Sequence, residues 1–281
     1  MNVLIVGNSE RAESVATRVA TWLVDHGHDP FALASDASTL GVDSLRTVTS
    51  VGDAGDLGLV VGIGGDGTML RAVALLEGAR VPVLGVNVGL LGYLAEVEPT
   101  GVETALARFF AGDVHIESRL VLDVVAASAS ATRSWRALNE ASFEKQNAGQ
   151  TVRLRLHIDG APFTTYQADG ILVATPTGST AYSLSARGPV ISPEHDAILI
   201  TPLAPHMLFD RSLVLRSDES VEIEVVGQRP VGLTIDGQEA VVLQPSDRVT
   251  CSASPHPALF VRLESRRFHQ VLKTKFGLAD R

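Results

Sequence analysis

Leu57 to Thr68, LGLVVGIGGDGT, is the stretch that decides the fold class. Leu57 to Ile63 is a continuous apolar run of the kind found in a strand buried on both faces. The glycines that follow, Gly62, Gly64, Gly65 and Gly67, let backbone N–H groups come close to a phosphate. Thr68 to Glu77 then reads as a helix closed by Gly78, and its start adds partial positive charge. Upstream, Val3-Leu4-Ile5-Val6 is a similar short run. Val15, Val19 and Leu23, with Trp22 alongside, mark one face of a helix that Gly27 closes. Downstream, Val81 to Val86 predicts a third strand and Gly101 to Phe110 a further helix. Strand and helix in alternation predict an α/β domain with a parallel sheet over residues 1–118.

Beyond residue 119 the helical pattern nearly vanishes. Val121 to Ala126, Trp135 to Leu138, Val152 to Ile158, Ile171 to Ala174, Ile198 to Ile200, Val221 to Val226, Leu233 to Ile235 and Val249 to Ser252 are short strand-like runs. Asp159-Gly160 and Asp236-Gly237 are hairpin signals. Residues 119–265 therefore predict a mainly-β domain of two packed sheets. Phe268, Val271, Leu272 and Phe276 return to helical spacing before Gly277. A lone helix after a β domain needs a surface to cover, so residues 266–281 are expected to return to the first domain.

The chain has 281 residues, with 23 Lys+Arg against 32 Asp+Glu for a formal charge of −9. That balance argues against nucleic acid or an anionic membrane as partner, but not against a phosphate held by backbone groups. The start, MNVLIVGNSE, has no cationic segment and too short an apolar run for a leader. Val81 to Ala95 is broken by Pro82, Asn87 and glycines, so no membrane span is predicted and a cytoplasmic location is expected. The single cysteine, Cys251, excludes an intrachain disulfide and reads as a small buried hydrophobe.

Three motifs could carry chemistry. Gly62, Gly64 and Gly67 fit the spacing of a dinucleotide fingerprint, but the next strand ends in Asn87 rather than a ribose-binding acid, and no P-loop lysine follows. Asp66 stands inside the phosphate loop. A carboxylate there repels phosphate unless it binds a cation or takes a proton from an attacking hydroxyl; as a plain alternative it caps the helix. The second motif runs from Asp169 to Ser185, a buried strand leading into a hydroxyl-rich loop and a short helix. It suits a phosphate or sugar, with Tyr182 free to stack on a base; alternatively its hydroxyls serve only their own backbone. Asn139-Glu140 could recognise adenine and ribose, or be a turn. His26 and His28 read as a solvated helix terminus rather than a metal site.

Taken together, the chain resembles the NAD kinase family. The resemblance rests on GGDGT (Gly64 to Thr68), GVNVGLLGYL (Gly85 to Leu94), Asn139-Glu140, DGILVATPTGSTAYSLSARGP (from Asp169) and TKFGL (Thr274 to Leu278). It covers the chain from about Leu57 to the end. GGDGT alone is shared with diacylglycerol and sphingosine kinases; TPTGSTAYSLSA is far more specific. The resemblance implies transfer of a phosphoryl group from ATP or polyphosphate to the adenosine 2′-hydroxyl of NAD, with a divalent cation (Mg²⁺ or Mn²⁺). It makes Asp66 the general base and Gly64, Gly65, Gly67 and Thr68 the donor-phosphate loop. NAD would be bound by Asp66, Gly67, Arg71, Asn139, Glu140, Asp169, Thr180, Ala181, Tyr182, Ser185 and Gln238. It also implies a homodimer or homotetramer, and the same two-domain fold with a returning helix. Arg187 departs from the family's usual Gly, Ala174 from a frequent Ser and Tyr93 from a frequent Phe. A lipid kinase sharing GGDGT and a non-catalytic dinucleotide-binding protein are the competing readings. The first would want an apolar acyl pocket in place of the hydroxyls of residues 169–185.

Overall fold

Residues 1–7, 10–42, 45–89, 92–127, 132–264 and 268–278 are described by the structure, a computed structural model. The chain divides into two units, Met1–Ser118 with Ala258–Arg281, and Arg119–Pro257.

The first unit is built on a seven-stranded sheet. Its elements in chain order are β1 (Asn2–Val6), α1 (Glu13–Asp25), β2 (Asp29–Leu33), α2 (Ala34–Leu40), β3 (Arg46–Val48), β4 (Leu57–Gly64), α3 (Asp66–Leu75), β5 (Pro82–Asn87), α4 (Val102–Phe110) and β6 (His115–Arg119). The strand order is β3-β2-β1-β4-β5, then the strand Ala258–Arg262, then β6. The pairs along β3-β2-β1-β4-β5 and on to Ala258–Arg262 are parallel. β4 sits mid-sheet and is buried along almost its whole length, as its unbroken apolar run requires. α1 buries Val15, Ala16, Val19, Ala20 and Leu23, a stripe at helical spacing. Among the described residues no helix is long and apolar enough to cross a membrane.

Two features of this unit differ from the sequence reading. Residues 29–48 add two strands and a helix where none was predicted, because Asp29-Pro30 and the single-turn spacing of Ala34–Leu40 dilute the pattern. The strand Ala258–Arg262, placed by the sequence with residues 119–265, instead pairs with β5 of the parallel sheet. A four-residue apolar run, Ala258 to Val261, says strand but not which sheet. The C-terminal helix, Phe268–Lys275, does return to this unit, where the Lys275 ammonium lies 3.9 Å from the centre of the Tyr93 ring. Of the expected segment 266–281, residues 266–267 and 279–281 lie outside the described residues, as do Leu90 and Leu91 of GVNVGLLGYL.

The second unit holds β7 (Leu122–Ala127), β8 (Thr132–Ala137), β9 (Glu140–Lys145), β10 (Val152–Ile158), β11 (Ala161–Ala168), β12 (Gly170–Ala174), α5 (Tyr182–Ser185), β13 (Ala197–Leu203), β14 (Leu213–Arg216), β15 (Val221–Val225), β16 (Val231–Ile235), β17 (Gln238–Leu243) and β18 (Arg248–Ala253). They form two six-stranded antiparallel sheets, β11-β10-β15-β18-β7-β8 and β14-β13-β12-β9-β16-β17. Leu154, Leu156, Tyr166, Ile223, Val249 and Cys251 from one sheet pack with Phe143, Ile171, Val173, Ile200 and Leu233 from the other. The Cys251 thiol, wholly buried, is pushed up to about 12 by desolvation, so it is an inert core residue as expected. Asp159 and Asp236 take positive φ ahead of Gly160 and Gly237, the backbone of a two-residue hairpin.

One buried ion pair ties three elements of the first unit together. Asp36, in the first turn of α2, is 2% exposed. It accepts a two-pronged bond from Arg71 of α3 at 2.7 and 2.6 Å, one from the Gly7 N–H that ends β1 at 3.3 Å, and one from the Ser35 hydroxyl at 2.9 Å. The bond to Asp36 raises the Arg71 guanidinium further above its ordinary range. Truncating one partner of a buried pair costs about 3–5 kcal/mol, less where the other reaches water. Since Arg71 keeps some access to solvent, Asp36→Ala should lower stability by about 2 kcal/mol in urea unfolding. A loss below about 0.5 kcal/mol would show that the pair does not hold α2 to α3.

Candidate active site

Asp66 is the first residue of α3, and the helix is capped at Gly65 with no side-chain bond. The capping alternative is therefore wrong for this residue. Its carboxylate turns away from its own helix and accepts the N–H of Tyr93 at 2.8 Å and of Leu94 at 2.9 Å. Gly92 makes that approach possible, because a Cβ there would lie 2.1 Å from the Asp66 Oδ1. Gly64 is buried behind the loop, Gly65, Asp66 and Thr68 are half-buried, and Gly67 is exposed. Thr68 donates its N–H to the Gly65 carbonyl at 3.0 Å, closing the first turn. The result is a helix start whose amides no side chain claims, edged by one fixed carboxylate. Burial first, and the Asp66 charge second, raise the Tyr93 phenol above its ordinary value. Arg71, one turn along α3, is committed to Asp36.

In the second unit a second carboxylate organises a turn. Asp236 accepts three successive N–H bonds, from Leu138 and Asn139 at 2.8 Å and from Glu140 at 3.0 Å. Thr175 adds its hydroxyl to the Leu138 carbonyl at 2.5 Å and its N–H to the Asn139 carbonyl at 2.8 Å. Gly178 packs so closely on Asn139 that a Cβ would lie 2.1 Å from its carbonyl oxygen. Asn139 thus sits in a locked turn, and Glu140 begins β9 rather than ending the preceding strand. Glu140 is 6% exposed and its Oε2 has no hydrogen-bond partner. Burial, then the Asp236 charge, push its carboxyl up to about 7. Burial also raises Asp236, against the pull of its three amides.

Glu140, Ser142 and Glu144 share one face of β9 by strand alternation. The Tyr182 hydroxyl donates to Glu144 at 3.0 Å, and burial followed by the Glu144 charge raises that phenol to about 12. Asp169 pairs with Lys145 at 2.6 Å. Ala181 is half-buried, while Ser185, Gln238 and the Tyr182 ring reach solvent. Several of the loop hydroxyls have partners within the protein. Ser179 bonds the carbonyls of Pro176 and Ile191, Thr180 that of Thr177, and Ser183 meets Thr201. Those to Pro176 and Thr177 are the local bonds by which Ser and Thr stabilise turns, while those to Ile191 and Thr201 tie the loop to later segments.

Two models, the ATP-NAD kinase N-terminal domain and the ATP-NAD kinase C-terminal domain, match residues 3–114 and 138–263. The chain belongs to the NAD kinase family. It is 39% identical to the NAD kinase of Leifsonia xyli over 98% of this chain and 94% of that one. To the NAD kinase of Geobacter metallireducens it is 35% identical over 96% and 95%. Yeast NADH kinase, solved in complex with NADH, superposes with a TM-score of 0.90 at 23% identity, covering 100% of this chain and 89% of that one. The NAD kinase of Archaeoglobus fulgidus, solved in complex with ATP, gives 0.75 at 22% identity over 99% and 98%. At those identities the likeness establishes the fold. It is the two-domain fold expected for the family, an α/β domain with a parallel sheet and a domain of antiparallel sheets.

Where this chain departs from the family's usual Gly, Arg187 takes φ +63°. Its N–H bonds the Leu184 carbonyl at 3.0 Å and that of Gly188 the Ser183 carbonyl at 2.8 Å, the paired bonds of a Schellman stop after α5. Glycine is favoured there for its backbone freedom, and this chain places an arginine in the same conformation. Sequence reasoning missed Asp36, Lys145 and Glu144. Alternation from Glu140 was the one signal that could have found Glu144. Asp236 was read only as a turn residue.

A carboxyl raised in the folded protein takes up its proton more readily there than in the unfolded chain. The contribution of Glu140 to stability therefore falls as pH rises from the ordinary value of 4.5 through about 7. At about 1.4 kcal/mol per pKa unit, ligand-free Glu140→Gln should exceed the parent by up to about 3 kcal/mol near pH 8. The gap should close toward pH 4. Denaturant unfolding across that range checks it, and a gap that does not widen with pH would refute the raised carboxyl.

Proposed function

We propose that this protein is an NAD kinase, transferring a phosphoryl group from ATP or polyphosphate to the adenosine 2′-hydroxyl of NAD to give NADP. The observation that carries the reading is the Asp66 carboxylate, fixed by two amides at the edge of an open, glycine-lined helix start. The 2′-oxygen attacks the terminal phosphorus, the bond to the bridging oxygen breaks, and ADP or a shortened polyphosphate leaves. The 2′-hydroxyl proton passes to Asp66, whose carboxylate keeps lone pairs beyond the two that the amides occupy. Gly64, Gly65, Gly67 and Thr68 form the donor-phosphate loop, in which the N–H groups of the helix start face the phosphates while the Thr68 N–H closes the first turn. Such transfer is catalysed by positioning and charge neutralisation, so a P-loop lysine is not needed.

Asn139 and Glu140 bind the adenosine. The unpartnered Glu140 Oε2 is a buried acceptor that a ribose hydroxyl would satisfy. Asp169, Thr180, Ala181, Tyr182, Ser185 and Gln238 hold the remainder of the dinucleotide, with Arg71 at its edge. Thr180 acts through its loop's shape, given its own bond to Thr177. Among the described residues no group of three or more acidic, His or Cys side chains could hold a metal. A single carboxylate, Asp66, beside a phosphate loop does fit Mg²⁺ or Mn²⁺ brought in on the phosphates, which is how Mg²⁺ is commonly bound. Such a cation neutralises charge on the phosphates. We place the reaction in the cytoplasm.

The charged groups beside Asp169 and Tyr182, Lys145 and Glu144, speak against a lipid acceptor. Asp66→Asn keeps shape but cannot take the proton, so kcat for NADP formation should fall at least about 100-fold with Tm nearly unchanged. NADP is read with an NADP-specific dehydrogenase after incubation with NAD, Mg²⁺ and ATP or polyphosphate. A parent that makes no NADP would refute the kinase reading. Turnover of Asp66→Asn within a few-fold of the parent would refute the base.

Assembly belongs to the same reading. β14 and β11 end their sheets with open edges, which native proteins cover or pair. We expect a homodimer or homotetramer, and light scattering should find a particle at least twice the 29.7 kDa chain mass. An active particle of single-chain mass would overturn it.

A further inference from the structure

We propose that Arg262 is a positioning residue for Asp66, acting through the backbone of Leu94. The inference rests on Asp66 being the base. Arg262 ends the strand Ala258–Arg262 and is 9% exposed. Its Nη1 donates to the Leu94 carbonyl at 2.8 Å. Its Nε and Nη2 donate to the two carboxylate oxygens of Glu117 at 3.3 and 3.1 Å, and Glu96 lies 3.7 Å from Nη1. The Phe260 ring centre is 5.4 Å from the guanidinium carbon. Leu94 is therefore held at both ends, its carbonyl by Arg262 and its N–H by the Asp66 Oδ1 at 2.9 Å.

The geometry makes this more than a buried ion pair. A guanidinium is a rigid planar fork, and docking one side of it on Glu117 fixes where Nη1 points. That direction meets a main-chain carbonyl rather than a third side chain. The same dipeptide has a second hold, since Lys275 stacks its ammonium on the Tyr93 ring while the Tyr93 N–H donates to Asp66. The last strand and last helix of the chain thus grip the residues whose amides aim the catalytic carboxylate. Gly92, which precedes those amides, carries no side chain of its own to anchor them.

The test measures kcat, KM for NAD and Tm for Arg262→Gln and Arg262→Lys, each in the parent and in Asp66→Asn. Misplacing a reacting group by a fraction of an ångström to an ångström lowers rate by about tenfold to a hundredfold. Arg262→Gln should lower kcat by that factor, with KM for NAD within about threefold. Arg262→Lys, a point charge without the fork, should fall between it and the parent. In Asp66→Asn the same substitutions should change the residual kcat by less than about twofold, because there is no base left to aim. An equal loss in both backgrounds, or an unchanged kcat in folded Arg262→Gln, overturns the proposal. Should Arg262→Gln not fold, Arg262→Lys carries the same comparison. If Asp66→Asn itself keeps the parent kcat, the assignment of the base has failed, and that result is read separately from Arg262.

Discussion

The grip of the Tyr93 and Leu94 amides on Asp66 is the constraint on which the first unit's chemistry depends. An acid at the first position of a helix would ordinarily satisfy that helix's own N–H groups or its dipole. Here two amides from another segment claim it, so the start of α3 keeps its donors for a ligand. In the proposed reaction, a carboxylate beside the donor phosphates must also be prevented from swinging into them, since it repels their charge. Two N–H bonds do that while leaving lone pairs in place for a proton. The glycine at position 92 follows from the same contact, since any side chain would occupy the space of the Asp66 oxygen.

The second unit uses a carboxylate in the same way, with a different consequence. Asp236 gathers the N–H groups of Leu138, Asn139 and Glu140 and so fixes the turn that presents Asn139 and Glu140. Its charge lies close to Glu140, which is already short of water, and Glu140 is pushed up to about 7. The two acids are therefore coupled through one turn, with Asp236 shaping the backbone and the Glu140 carboxyl held half-protonated near neutrality. A ligand hydroxyl at the free Oε2 would give Glu140 the partner that the protein does not supply.

Much of this was legible in the chain. Unbroken apolar runs announced β1, β4 and β5, Asp-Gly pairs announced two hairpins, and the glycine cluster fell between a strand and a helix as read. What stayed hidden were facts of pairing over long separations. Nothing in Ala258–Arg262 says that it adds to a parallel sheet built by the first half of the chain, and no local pattern joins Asp36 to Arg71. The hydroxyls of residues 175–183 show what composition leaves open. Composition reports how many polar groups a loop has but not which way they face, and here Ser179, Thr180 and Ser183 each meet a partner within the protein. Arg187 was recognised as a departure but not as a helix stop, because its significance is a dihedral angle.

Under the proposed function, phosphate recognition falls to backbone amides and to the carboxylates that aim them. That division has a chemical logic for phosphoryl transfer. Amides at a helix start stabilise phosphate charge whatever lies beyond the phosphate, so a nucleoside triphosphate and an inorganic polyphosphate present the same handle to Gly64 to Thr68. A nucleotide base or a ribose needs directional side chains, and the candidates proposed for that role lie on β9 and around Tyr182. On that reading, selectivity for the acceptor and tolerance of the donor would be properties of different elements. Because amides cannot be adjusted by substitution, their placement must be. The chain achieves this with buried charges far off in sequence, Asp236 for one turn and Arg262 for the other. Changes in such a site should therefore act at the residues that hold the backbone, as readily as at those that touch the substrate.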